Sequence, residues 1–187
     1  NSRLEKIMIY VFLAQGFEEV EALAPIDLLR RCGKEVITVG VNDNIIVGSH
    51  NIPIVTDTIT QEIKLDDTLE MIVLPGGMPG TINLENNPAV QEAIDFCVKN
   101  DKFIGAICAA PSILGHKGIL KNKKAVCFEG FENQLEGADV SKDSVMADGN
   151  IITARGAGVA VQFGLKLVEV LISKERSDTL KAAILCE

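Results

Sequence analysis

Cys108 stands in the run Ala106-Ile107-Cys108-Ala109-Ala110, directly before Pro111. Alanines two residues before and two residues after the thiol leave room for a sharp turn, the steric need that glycine meets in the G-x-S-x-G nucleophile elbow. Pro111 suits the first turn of a helix, where its missing N–H would have had no partner. A thiol at such a helix start is favoured as thiolate by the free N–H groups and the macrodipole, which lower cysteine pKa values to roughly 3.5 to 7.5. A free cysteine is also commonly a small apolar residue packed at a strand end, and the local pattern leaves both readings open. Gly76-Gly77, after the run Met71 to Leu74, either offers an oxyanion its backbone N–H groups, together with that of Ala109, or forms an ordinary turn. Glu18, Glu19 and Glu21 open a helical pattern, where carboxylates suit the positive end of the dipole. Glu18 and Glu21 are one turn apart and share a face, so that face can set a carboxyl against Cys108 while Glu19 points elsewhere.

The elements that would carry these residues alternate. Lys6 to Phe12 reads as a strand, and Glu18 to Arg31 reads as a helix ended by Gly33. Glu35 to Val41, Met71 to Leu74, Phe103 to Ile107, Lys123 to Phe128 and Ile151 to Ala154 read as further strands. Ile45 to Asp57 reads as a small hairpin, and polar irregular chain is expected between Phe128 and Ile151. Helices are expected over Pro88 to Lys99, Ala109 to Gly115, Gly158 to Ile172 and Glu175 to Leu185. Short apolar strands alternating with helices imply a mostly parallel central sheet covered on both faces. In such sheets ligands bind beyond the carboxyl ends of the strands, the rim to which Gln15–Glu18, Pro75–Gly77, Cys108 and Arg155-Gly156 all fall.

Composition limits the function classes. The chain of 187 residues has no linker-like stretch, so residues 1–187 read as one domain, with 1–5 as an added terminal remnant. Its formal net charge of -8 and scattered basic residues argue against nucleic-acid binding. No apolar run reaches the roughly 18 to 20 residues of a membrane span. The odd count of five cysteines, without a CxxC pair, suggests neither a disulfide framework nor a zinc site, and no secretory signal opens the chain. Reduced thiols and a cytoplasmic location are expected. Cys32, Cys97, Cys127 and Cys186 read as packing or surface thiols, and His50 and His116 as a loop and a helix-end residue.

Four stretches together, Ala14 to Glu21, Val73 to Gly77, Ala106 to Pro111 and Thr153 to Gly158, resemble the ThiJ/PfpI superfamily, which has a class I glutamine amidotransferase-like fold, and within it the Parkinson disease protein 7 branch. The resemblance runs from about Lys6 to the end. It implies a flavodoxin-like three-layer sandwich, a homodimer, and a reactive cysteine hydrogen-bonded by a protonated glutamic acid, roles that fall on Cys108 and Glu21. It also implies an oxyanion pocket formed by the backbones of Gly77 and Ala109, with Gly76 beside them. Glu18 and Arg155 are expected to flank the pair, and Arg31 to approach a site near the dimer interface. Two departures stand out: Phe128 occupies the position of a histidine in the branch's best-known member, and His50 that of an anion-binding arginine in some relatives.

Three functions are then in contention. The first is a glyoxalase or deglycase that takes small reactive carbonyls, such as the 2-oxoaldehyde methylglyoxal, to 2-hydroxy acids through a Cys108 thiolate and Glu21 proton transfer, with no metal or organic cofactor. The second is a non-enzymatic oxidative-stress sensor or chaperone whose Cys108 is oxidised by peroxide. The third is a cysteine peptidase or amidotransferase, disfavoured because Ala109 stands where peptidase-type relatives place a histidine.

Overall fold

The computed structural model describes residues 6–187, so Asn1 to Glu5 lie outside the described residues. In chain order it contains β1 (Met8–Leu13), α1 (Glu19–Arg31), β2 (Glu35–Gly40), β3 (Ile45–Val47), β4 (Pro53–Val55), β5 (Thr58–Ile59) and β6 (Leu69–Leu74). Then come α2 (Gly80–Glu85), α3 (Pro88–Lys99), β7 (Phe103–Ile107), α4 (Pro111–His116), β8 (Lys124–Ala125), β9 (Asp139–Val140), β10 (Val145–Asp148) and β11 (Ile151–Ala154), with α5 (Ala160–Leu171) and α6 (Lys174–Ala183) closing the chain.

Seven strands form the central sheet in the order β10-β11-β7-β6-β1-β2-β5. All neighbours are parallel except β10, which pairs antiparallel with β11. The two-residue period of a strand sends alternate side chains to opposite faces. Ile9, Val11 and Leu13 of β1 join a core with Ile26 and Leu29 of α1, Phe163 and Leu167 of α5, and Leu180 of α6. Tyr10 and Phe12 join the other core, with Val90, Ala93 and Ile94 of α3 and Ile113 and Leu114 of α4. The three-layer, flavodoxin-like sandwich read from the sequence is the observed fold.

The chain after α4 differs from expectation. The strand expected over Lys123 to Phe128 shrinks to Lys124–Ala125, which pairs with β9 rather than with the central sheet. Val126 instead donates its N–H to the buried Oγ1 of Thr153 at 2.9 Å, and Phe128 donates to the carbonyl of Cys108 at 2.8 Å. A side-chain hydroxyl thus replaces a ladder partner, which no periodicity reveals. The stretch expected to be irregular contains β9 and β10. α2 follows directly after the Pro75–Gly77 loop and has too short a pattern to read.

Thr153 is fully buried. Thr153→Val keeps the shape and leaves the Val126 N–H unpaired, so it is expected to lower stability by roughly 1–3 kcal/mol, read as a lower urea midpoint with an unchanged slope.

Candidate active site

The first rim loop, Ala14–Glu18, turns from β1 into α1. Glu18 caps α1, its Oε2 accepting the N–H of Glu21 at 3.1 Å. Glu21 sits at the third helical position, from which the glutamate of a capping box reaches back to the cap residue. Here it reaches across the rim instead. Its Oε2 accepts the N–H of Gly76 at 2.9 Å, and the Cys108 side chain and the Ala157 amide lie close enough to the carboxyl to favour its charged form. Glu21 is 1% exposed.

Cys108 follows β7 with a φ of 66°. For a residue with a side chain this left-handed conformation is strained and persists only where the surroundings enforce it. They do so on both sides: the Cys108 N–H donates to Ala154 O at 2.9 Å, and the Cys108 carbonyl accepts from Phe128. The sequence-derived nucleophile elbow is therefore present, with the thiol partly exposed. Gly76 makes the meeting of acid and thiol possible. A Cβ at Gly76 would lie 2.6 Å from Glu21 Oε2, 2.7 Å from Cys108 Cβ and 2.9 Å from Ile107 O.

Ionisation departs from the helix-terminus expectation. α4 begins at Pro111, beyond the thiol, and runs only six residues, so little dipole reaches the sulfur. Burial pushes the Cys108 thiol up to about 12, and the charge of an ionised Glu21 and the hydrogen bond with it push the same way. The amides of Ala109 and Gly77 act in the opposite sense. Burial also pushes Glu21 up to about 7, reinforced by the charge of Glu18 and opposed by its hydrogen bonds from Cys108, Gly76 and Ala157. Two of the influences that hold the thiol protonated thus belong to an ionised Glu21. A protonated Glu21 removes both and donates a hydrogen bond to the sulfur. The thiol and the acid thus act on each other's ionisation, and the amides of Gly77 and Ala109 favour a charged sulfur.

The profile of the DJ-1/PfpI family matches residues 7–170. The chain belongs to the DJ-1/PfpI family. It is 34% identical over 181 residues to Protein DJ-1 homolog A of Arabidopsis thaliana, covering 95% of this chain and 46% of the plant protein, so it spans about half the length of that relative. It is 30% identical over 177 residues to a Caenorhabditis elegans protein named glutathione-independent glyoxalase DJR-1.2, covering 94% of each. The crystal structure of Drosophila melanogaster DJ-1beta superposes with a TM-score of 0.91 at 31% identity, covering 97% of this chain and 99% of that one.

Around this DJ-1/PfpI centre the other expected residues divide. Gly77 and Ala109 present amides to the sulfur, but Gly76 spends its N–H on Glu21 and is not free to bind an oxyanion. Glu18 lies beside the pair as expected. Arg31 ends α1, about 15 Å along the axis from Glu21 at 1.5 Å per residue, and pairs with Asp27 at 2.7 Å. Arg155 is exposed, its side chain lining surface clefts next to Phe128 and Cys127. Glu19 points away, as the helical spacing required, and is buried. Its Oε1 accepts the backbone N–H of His50 at 2.8 Å, and its Oε2 lies 3.1 Å from the exposed His50 ring. Among the described residues Glu18, Glu19 and His50 bring possible metal-ligand atoms within 4.8 Å of one another, but the buried oxygens of Glu19 serve to fasten the β3–β4 hairpin to α1. His116 contacts Glu85 and Gln134 rather than Cys108. Burial raises Cys97 and Cys127, to about 12 and about 11, while Cys32 and Cys186 are partly exposed. Ala157 has no role legible in the sequence, because its amide's contact with Glu21 depends on how the loop after β11 folds.

Folded Glu21 holds its proton to about pH 7, against 4.5 for the free group, so the folded state binds more protons between those values. Its stabilising contribution is complete below the lower value and is lost as pH rises through the higher one. Glu21→Gln keeps an acceptor for Gly76 and cannot ionise. It is expected to gain on the wild type by on the order of 2 kcal/mol between about pH 5 and about pH 8.5. Urea midpoints of both proteins at the two pH values check this, and a difference that does not change with pH contradicts it.

Proposed function

We propose that the chain is a glutathione-independent glyoxalase that converts 2-oxoaldehydes such as methylglyoxal to 2-hydroxy acids. The observation that carries the reading is the buried Glu21 carboxyl hydrogen-bonded to a strained, partly exposed Cys108 under the amides of Gly77 and Ala109. Glu21 holds the proton while the sulfur attacks as thiolate. The sulfur adds to the aldehyde carbon, and Glu21 protonates the new oxyanion, which rests on the two amides. The resulting carboxylate removes the C–H proton of that carbon and returns it to the neighbouring carbon, while the hydroxyl proton passes to the former ketone oxygen. The product of this isomerisation is a thioester, which water opens to the 2-hydroxy acid and the free thiol. One carbon is oxidised and its neighbour reduced, so the balance calls for no external oxidant or reductant. The glyoxalase name of the nematode relative agrees with this reading.

The sensor reading is favoured by a separate observation, that Cys108 is partly exposed whereas Cys97 is fully buried. The third contender loses ground because no imidazole serves the thiol. We assign the work to the reducing cytoplasm, where free thiols persist.

We further propose that the working unit is a homodimer. Val20 and Leu23 of α1, Ile45, Val47 and Val55 of the β3–β4 hairpin, and Ile52 in its turn are large exposed apolar side chains, with Val55 73% exposed. Cross-strand register sets Ile45 against Val55 on one side of the hairpin while Ile46 is buried on the other. An apolar face of this kind marks an association surface, and Glu19 ties it to the helix that carries the catalytic acid.

Methylglyoxal turnover separates enzyme from sensor. Cys108→Ser is expected to abolish it, and Glu21→Gln to lower kcat by roughly 10²- to 10⁴-fold, the usual worth of a general acid–base. Equal rates in wild type and both folded variants, with peroxide modifying Cys108 faster than Cys97 by mass spectrometry, would instead establish the sensor. Val55→Glu is expected to shift the protein from dimer to monomer in gel filtration; an unchanged elution volume rules this face out as the contact.

A further inference from the structure

Phe128 breaks the family pattern read from the sequence, and its ring is half exposed beside the nucleophile. Its backbone N–H is bonded to the carbonyl of Cys108 at 2.8 Å, so the residue's position is fixed by the catalytic elbow itself. Its ring lies over Gly156, where a Cβ would come within 3.3 Å of Phe128 Cδ2. Between the ring and the loop that follows β11 lies an open cleft of about 330 Å³ lined by Phe128, Gly156, Ala157, Gly158 and Val159, with Glu129 and Arg155 at its edge. Cys108 and Glu21 do not line the cleft themselves, but two of its residues join it to the site through the backbone. One wall continues into the carbonyl of Cys108, and another includes Ala157, whose amide contacts Glu21.

The lining selects a chemical class. An aromatic ring, a valine and a strip of glycine and alanine backbone offer a flat apolar surface without a buried charge. The one acid and the one base at the edge have opposite sign, so an ionised substituent gains no net attraction. An apolar cavity of about 150 Å³ suffices to take benzene, and aromatic pairs favour stacked or edge-on contacts beyond simple burial. A substituent on the second carbonyl of a 2-oxoaldehyde is two bonds from the carbon attacked by sulfur, and the hollow begins at Phe128, whose N–H is bonded to the Cys108 carbonyl.

We infer that Phe128 and the Gly156–Val159 strip form a substituent subsite that makes the chain prefer 2-oxoaldehydes bearing an aromatic ring over those bearing a methyl group. The inference rests on the glyoxalase reading for its substrate and on the cleft for its selectivity. Phe128 touches the substituent and not the reacting atoms, so it determines specificity rather than taking part in catalysis.

The test uses the full chain and two readouts. In the first, kcat/KM for phenylglyoxal and methylglyoxal is compared in wild type, Phe128→Ala and Phe128→Tyr, after thermal melting shows each variant folded. The aryl-to-methyl ratio is expected to fall roughly tenfold in Phe128→Ala and to be kept by Phe128→Tyr. The second readout needs no turnover: Cys108 is alkylated with phenacyl bromide or bromoacetone, the sulfur displacing bromide as the C–S bond forms, and the rates are followed by intact mass. The aryl-to-methyl rate ratio is expected to drop in Phe128→Ala in the same way. If neither aldehyde is turned over but this alkylation ratio drops, the glyoxalase reading fails and the subsite stands. Ratios unaffected by Phe128→Ala in alkylation, and in turnover where it occurs, overturn the subsite.

Discussion

A carboxyl that keeps its proton near neutrality is the condition on which the site depends. Glu21 is almost completely removed from water, and burial disfavours its charged form more than the hydrogen bonds around it restore it. Ionised, it would oppose a negative sulfur; protonated, it donates to one. The difference between an inert thiol pushed up to about 12 and a usable nucleophile therefore lies less in the cysteine than in the state of its neighbour. The helix dipole, first suspected of this task, starts too late and is too short to perform it.

Three consecutive rim loops cooperate to hold that acid. The capping of α1 by Glu18 sets the helix start, the Gly76 amide takes one carboxylate oxygen, and the absence of a side chain at Gly76 lets the thiol come alongside. Three glutamates of one helix start do unlike things: Glu18 caps, Glu19 anchors the hairpin, and Glu21 reaches Gly76. Helical geometry separates Glu19 from the other two, because side chains one position apart diverge and those three apart align.

Much of this was legible in the chain. The strands read at Lys6 to Phe12 and Phe103 to Ile107 announce themselves as short apolar runs, observed over Met8–Leu13 and Phe103–Ile107, and α3 begins and ends at the residues its pattern suggests. The elbow could be read because small residues flank Cys108, and the acid because Glu21 shares a face with Glu18. What could not be read were contacts between distant segments. The Thr153 hydroxyl that ends β8 early, the Gly76 N–H committed to Glu21, and the Ala157 amide arise from loops meeting across the rim. The sign of the thiol shift was misread because burial, which raises a thiol, is invisible in a local motif.

The carbonyl that restrains the Cys108 amide belongs to Ala154, and the amide that touches the acid belongs to Ala157. Both lie in the last quarter of the chain, and β11, which brings them, is inserted between β7 and β10. A polypeptide still leaving the ribosome and lacking β11 would have β7 as a bare sheet edge and Cys108 as an unrestrained thiol. The restraint on the Cys108 backbone is therefore in place only once β11 has docked beside β7.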